Sequence, residues 1–202
     1  DIPLQYFQDT LKKQAVVNEG LTFKLYNETE NGKFELFTFL YKNGISDYLI
    51  ELSEDKNITS IQRFSTEREG RDRSDKEDYK VKLNVAFAFN NNINVIEYYH
   101  NSSWLEHGGS PDRAVKNAFV FAIDKYIKQV GKYTKNENKL SFDDVKDSLI
   151  FVSNSFSTQT SYENQTKKAI NNKFIQEAMT DFLKEQLEIY FIENKAEADK
   201  IA

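Results

Sequence analysis

The sequence predicts an α+β fold, close to α/β: a mixed or mostly antiparallel sheet of about four strands backed by helices. Three observations lead there. Apolar residues alternate with polar ones over strand-length runs, most clearly Val81, Leu83, Val85, Phe87 and Phe89, the period of a half-buried strand. Elsewhere they fall three and four apart, the period of an amphipathic helix. Only 2 Pro and 7 Gly punctuate the 202 residues, and 39% of residues are hydrophobic, so long regular elements around a core are favoured over loops.

Leu4, Phe7, Leu11 and Ala15 stripe a helix over 4–17, and Gly20 follows it as the left-handed residue that helix ends favour. Residues 21–27 and 33–40 alternate as strands, with Asn31-Gly32 between them as a hairpin turn. After Asn43-Gly44 a short helix spans 46–53, with Ser46 or Asp47 as its cap, since such side chains accept from free amides. Residues 58–66 read as a strand. Residues 67–78 contain no apolar side chain and read as a solvated loop. Interleaved carboxylates there weaken any anion site built on Arg68, Arg71 and Arg73. Strands resume at 79–89 and 93–100 around Asn90-Asn91-Asn92. Gly108-Gly109 then turns the chain into a helix that Ser110 caps, Pro111 opens and Asp112 complements. Its packing face is Ala114, Ala118, Phe121, Ala122 and Tyr126, and Gly131 ends it. Ser141 to Asp144 form a capping box for a short helix. Residues 149–153 form a buried strand, 154–168 a polar loop, and 172–200 one long helix. That helix packs Phe174, Ala178, Phe182, Tyr190 and Phe191 on the sheet.

Composition excludes several chemistries. With no Cys there is no disulfide scaffold, Cys-ligated zinc, iron–sulfur cluster or thiol nucleophile, and a reducing cytoplasm fits. The two His, His100 and His107, read as surface groups rather than metal ligands, and no metal site is expected. A net charge of -5 disfavours a globally basic nucleic-acid binder. No apolar run reaches the roughly 18–20 residues of a membrane span. The start at Asp1-Ile2-Pro3 and the helical pattern still running at Ala202 suggest a fragment of a longer chain.

The loop Tyr162-Glu163-Asn164-Gln165-Thr166-Lys167-Lys168 is the most informative stretch. A loop lysine is a mobile cation with three donors, suited to a phosphate, and a Gln amide can serve a second phosphate oxygen. By composition alone the stretch is an ordinary solvated loop. Lys168 reads as a neighbour, Thr166 as structural, and Trp104 as a half-buried anchor. Asp143, Asp144 and Asp147 read as a helix first turn. Lys184, Lys195 and Lys200 alternate with glutamates, an ion-paired surface rather than a DNA face.

Gln165-Thr166-Lys167, followed by Asn171, resembles the Gln-Thr-Lys loop of the ATPase subunit of bacterial type IIA DNA topoisomerases, the gyrase and topoisomerase IV family. Three stretches support this in order. Helix 4–17 with Asn18-Glu19-Gly20-Leu21 resembles the last helix and strand entry of the family's ATPase domain. Asn43-Gly44-Ile45-Ser46-Asp47-Tyr48 resembles the opening of its transducer domain. Glu97 to His100 and Gly108-Gly109-Ser110 resemble the strand, loop and turn before the main transducer helix. The family usually has Gly-Gly-Thr-His at that turn, where this chain has Gly108-Gly109-Ser110-Pro111, and Glu-Gly before Gln-Thr-Lys, where it has Glu163-Asn164. These departures mark a divergent branch, and the role of the turn histidine is absent.

The resemblance implies a ribosomal protein S5 domain 2-like transducer domain preceded by a helix and hairpin from a GHKL ATPase domain. Residues 1–41 would be the ATPase edge, lacking part of its packing partner. Residues 42–171 would be the transducer, and 172–202 a helix leading toward downstream domains. ATP would be bound mainly by an upstream domain, since no Asp-x-Gly-x-Gly motif or glycine-rich cradle occurs here. Lys167 would be catalytic and, with Gln165, would contact the γ-phosphate. Magnesium would belong to the parent enzyme, not to this segment. Implied partners are the upstream ATPase domain, a second copy of the B-type chain, the A-type subunit and double-stranded DNA, with no membrane. The parent would be a cytoplasmic, ATP-dependent isomerase, this segment alone being inactive. Two alternatives stay open: the middle domain of a mismatch-repair or chaperone ATPase, and a non-enzymatic S5-like module binding RNA or protein.

Overall fold

The amphipathic stripe at the start of the chain forms helix α1 (Leu4–Val17), and the Asn31-Gly32 turn joins strands β1 (Phe23–Glu30) and β2 (Lys33–Phe39) as an antiparallel hairpin. Helix α2 (Ile45–Ser53), β3 (Gln62–Gly70), β4 (Tyr79–Phe89), β5 (Val95–His100), β6 (Ser103–Leu105) and the two-residue β7 (Gly108–Gly109) follow. Then come α3 (Ser110–Val130), α4 (Phe142–Lys146), β8 (Leu149–Ser157), β9 (Ala169–Ile170), α5 (Lys173–Glu193) and α6 (Lys195–Ile201). The computed structural model describes residues 1–202.

The main sheet has five strands, ordered β3-β4-β8-β5-β6. All neighbours are antiparallel except β5 and β8, which are parallel and joined through α3 and α4. Alternation along β4 explains both faces. Val81, Leu83, Val85, Phe87 and Phe89 point into a 28-residue core against α3 and α5. Ala86 and Ala88 point the other way into a 12-residue core with Ala15, Val16 and Leu49 from α1 and α2. Their methyl groups leave room for α2 to approach. Phe87 anchors the larger core, edge-on to Phe119 at 5.3 Å and to Tyr190 at 6.0 Å. The hairpin is separate, and its Tyr26, Phe34 and Leu36 remain exposed.

Several expectations change. The sheet has a fifth strand because β6 adds to β5 through the Asn101-Ser102 turn, both residues in left-handed backbone at φ 47° and 65°. The charged run does not begin a loop at 67. Strand β3 continues to Gly70, where any Cβ would lie 2.3 Å from the Phe174 ring. Arg68, Arg71 and Arg73 are paired with Glu185, Asp78 and Asp75. Neither Ser46 nor Asp47 is the N-cap of α2; that residue is Gly44, and Asp47 accepts from Asn43 N at 2.8 Å. Residues 154–157 extend β8 rather than opening a loop. The long terminal helix breaks at Asn194, whose φ of -126° and ψ of 59° are non-helical. The break folds α6 back, so that Glu197 accepts from Tyr190 OH and from Ser60 N at 2.7 Å. Phe121 is half exposed rather than packed. Trp104 lies on β6 with Lys13 Nζ 3.6 Å from its ring centroid.

Candidate functional site

Gln165, Thr166 and Lys167 form the exposed tip of the loop between β8 and β9. Asn164 shapes the tip: its Oδ1 accepts from Thr166 N at 3.1 Å and from Thr166 Oγ1, an Asx turn of the kind Asn favours. Its carbonyl accepts from Lys167 N at 3.3 Å. The structural reading of Thr166 therefore holds. Lys167 sits at φ 56°, left-handed backbone that costs a non-glycine residue about 1 kcal/mol and that surrounding structure must hold in place. Its ammonium lies 5.7 Å from the Tyr162 ring centroid and makes no ion pair. Lys168, one residue on, pairs with Glu106 at 2.8 Å and pulls that carboxylate below its ordinary pKa. Of two adjacent lysines, one is neutralised and one is not. The Gln165 amide likewise has no protein partner.

The base of the loop is clamped on both limbs. On the descending limb β9 pairs with β7, Gly108 opposite Ala169 and Gly109 opposite Ile170, and His107 N donates to Lys168 O at 2.9 Å. Gly109 has φ 82°, and a Cβ there would lie 2.0 Å from Ile170 O. That close approach is the reason for the Gly-Gly turn. On the ascending limb Ser161 N donates to Asn172 Oδ1 at 2.8 Å, Glu163 N donates to Ala169 O at 2.9 Å, and Arg113 donates to Glu163 at 2.9 Å.

Three residues at this base escaped the sequence reading. Asn172, buried before α5, also donates to Asp72 Oδ2 at 3.0 Å. Asp72, from the charged run, accepts from Phe174 N at 3.0 Å and from Tyr79 OH at 2.6 Å, and burial first, then this contact, raises the Tyr79 pKa. His100, expected at the surface, is completely buried, with its ring between Ser155 and Thr160; burial lowers its pKa to about 4. His107 is exposed. Ser110 does not cap α3 but donates to Asn172 O at 2.9 Å, tying the start of α3 to the loop base. The only hint of these roles in the sequence is that the residues are polar.

A polar cavity of about 730 Å³ beside the base is lined by Asp72, Lys76, Gln159, Thr160, Asn171 and Lys173, not by Gln165 or Lys167. No group of three or more His, Asp or Glu side chains is placed to hold a metal ion, and no helix is long and apolar enough to cross a membrane.

The sheet order, the parallel β5–β8 pair with its helical crossover and the loop leading to α5 define an S5 domain 2-like, transducer-type α+β protein. Residues 44–202 match the DNA gyrase B family, and the chain belongs to that family. It is 29% identical over 195 residues to the DNA gyrase B protein of Metamycoplasma arthritidis, covering 96% of this chain and 30% of that protein. The chain thus spans about three tenths of the length of the curated relatives it matches. Among solved structures, the 43K ATPase domain of Thermus thermophilus gyrase B, in complex with an aminocoumarin, superposes with a TM-score of 0.72 at 19% identity, covering 99% of this chain and 51% of that one. The topoisomerase IV ATP-binding domain of Francisella tularensis, in complex with a small-molecule inhibitor, gives 0.72 at 22% identity, covering 100% and 51%. At such identities these two matches show the shared fold.

Proposed function

We propose that this chain is the nucleotide-sensing transducer segment of the B-type component of an ATP-dependent type II DNA topoisomerase, with Lys167 and Gln165 directed to the γ-phosphate of ATP held mainly by an upstream domain. One observation carries the reading: an unpaired ammonium, on left-handed backbone, at the tip of a loop whose base is clamped on both limbs. That residue set fits the end of a triphosphate and not the whole of it, because no glycine-rich cradle accompanies it. When bound, ATP supplies a terminal phosphoryl group whose removal changes the charge facing the loop.

Lys167 then does two things. It offsets negative charge as that group departs, and it holds the loop in one arrangement only while the charge is there. Differential contact of this kind biases a two-state element. The loop base is tied to the starts of α3 and α5 through Ser110 and Asn172, so a displaced loop pulls on both long helices. Residues 1–41 fall to the ATPase edge and 42–171 to the transducer, which the family match beginning at residue 44 supports; residues 172–202 lead toward the DNA gate. Magnesium stays with the nucleotide on the upstream domain. The parent works as a dimer with an A-type subunit on double-stranded DNA in the cytoplasm, and the segment alone is inactive.

The test uses the full-length parent protein that contains this segment. Lys167→Ala is expected to lower ATP hydrolysis by about 100-fold or more while ATP binding stays within a few fold. Unchanged hydrolysis refutes the assignment of Lys167.

A further inference from the structure

We infer that His100 is the residue that positions the Lys167 loop, a role that rests on the phosphate-sensing reading above. His100 ends β5, which runs parallel to β8 with His100 opposite Ser155. The imidazole is fully buried among three hydroxyls: Nδ1 lies 2.7 Å from Ser155 Oγ, and Nε2 lies 3.0 Å from Thr160 Oγ1 and 3.3 Å from Ser157 Oγ. A neutral imidazole has one donor and one acceptor, so it satisfies a hydroxyl on each side. Ser155 and Ser157 belong to the sheet, while Thr160 belongs to the ascending limb of the loop. The ring is therefore a rigid strut between framework and limb.

The next residue completes the grip. Asn101 stands in left-handed backbone at φ 47°. Its amide donates to Thr160 Oγ1 at 3.1 Å and to Ser157 O at 3.0 Å, and its Oδ1 accepts from Ser157 N at 3.0 Å. The descending limb is held by Gly108 and Gly109 of the same segment. Residues 100–109 thus fix both limbs and leave movement to the tip. The same strand packs Tyr99 into the second core with Ala15, Val16 and Tyr41. One strand therefore sets where the loop stands relative to α1 and the segment that follows β2.

The experiment uses the full-length parent protein and two readouts, tryptic cleavage after Lys167 and Lys168 and the steady-state kinetics of ATP hydrolysis. His100→Leu is expected to raise cleavage about tenfold, because a released limb opens locally. It is expected to lower kcat by about 10- to 100-fold, the scale of a misplaced catalytic group, with KM for ATP within about threefold of wild type. His100→Gln, which restores one donor and one acceptor, is expected to recover part of both. Thr160→Val removes the limb hydroxyl that both His100 and Asn101 meet and is expected to act in the same direction; if His100→Leu does not fold, Thr160→Val exceeding Asn101→Ala in both readouts decides for His100, and equal effects decide against it. Wild-type cleavage and wild-type kcat in the folded variants overturn the inference. So does faster cleavage with unchanged kcat in a protein that Lys167→Ala cripples. If Lys167→Ala is silent while the His100 and Thr160 variants release the loop, the strut stands and the phosphate reading falls.

Discussion

Replacing Gly109 with Ala tests the geometry on which the loop base depends. Gly109 has φ 82° and ψ -118°, a region that costs a residue with a side chain about 1–3 kcal/mol. The added Cβ would meet Ile170 O at 2.0 Å and Ile170 N at 2.9 Å. These are backbone atoms of a fully buried residue, so the contact is relieved only by parting β7 from β9. Each hydrogen bond lost there costs about 1 kcal/mol net, and the total comes to about 3–6 kcal/mol. For a chain of this length about 2–4 °C accompanies each kcal/mol, so the expected fall in Tm is about 6–24 °C, measured by circular dichroism on the 202-residue chain. Gly131→Ala is the internal control. It has φ 66° but open space around its Cβ, so it meets only the left-handed penalty of about 1 kcal/mol and should lower Tm by a few degrees. If the two variants melt within about 3 °C of each other, close approach is not what requires glycine at 109.

Other expectations are more local. His100 has a folded pKa of about 4, below the value of about 6.5 in an unfolded chain. The unfolded state therefore takes up the proton first as pH falls, and the stabilising contribution is present above pH ~6.5 and lost on descent toward ~4. Between pH 7 and 5, wild type should lose about 2 kcal/mol more stability than His100→Gln in urea titrations; equal losses would count against a buried neutral imidazole. Phe87→Ala removes the ring shared by Phe119 and Tyr190 and should cost about 3–5 kcal/mol in denaturant unfolding. Glu197→Ala removes the acceptor for Ser60 and Tyr190; amide exchange in α6 should accelerate about tenfold, consistent with a loss of about 1–3 kcal/mol, and unchanged exchange would show that α6 is held by Ala198 in the core and by Asp199 against Tyr126 and Lys132. Lys168→Ala breaks only the exposed pair with Glu106, worth about 0–1 kcal/mol, and a Tm shift above a few degrees would contradict that.

The elements that were legible are those whose signal is local. Strand β4 and helix α1 appear at the residues expected, although β4 is buried on both faces over Val85–Phe89 and Phe7 of the α1 stripe is exposed. The Asn31-Gly32 hairpin forms from its own turn chemistry. What was not legible depends on contacts distant in the chain. The end of β3 at Gly70 is set by the ring of Phe174, more than a hundred residues away. The extra strand β6 needs two consecutive left-handed residues, Asn101 and Ser102. The break at Asn194 makes sense only once Glu197 has Ser60 to meet. Ser110 looks like an N-cap, yet its hydroxyl serves Asn172, because Gly109 has already turned the chain into the helix.

The candidate site shows the same division at finer scale. Adjacent lysines at 167 and 168 are indistinguishable by residue type, and only the fold places Glu106 2.8 Å from the second. An ion pair presents a dipole, whose field fades within a few ångströms, whereas an unpaired ammonium keeps its reach to about a Debye length, roughly 8 Å at physiological ionic strength. On the proposed reading, that reach lets the loop respond to one phosphoryl group across a domain boundary. The response is limited by entropy. Immobilising a lysine costs up to about 2 kcal/mol, comparable to the 1–3 kcal/mol typical of coupling between sites. If the limbs had to be ordered as well, little coupling energy would remain. Anchoring both limbs before the nucleotide arrives, through Gly109 on one side and His100 on the other, confines the ordering cost to the tip. Lys167 can then be loosely held while everything beneath it is fixed.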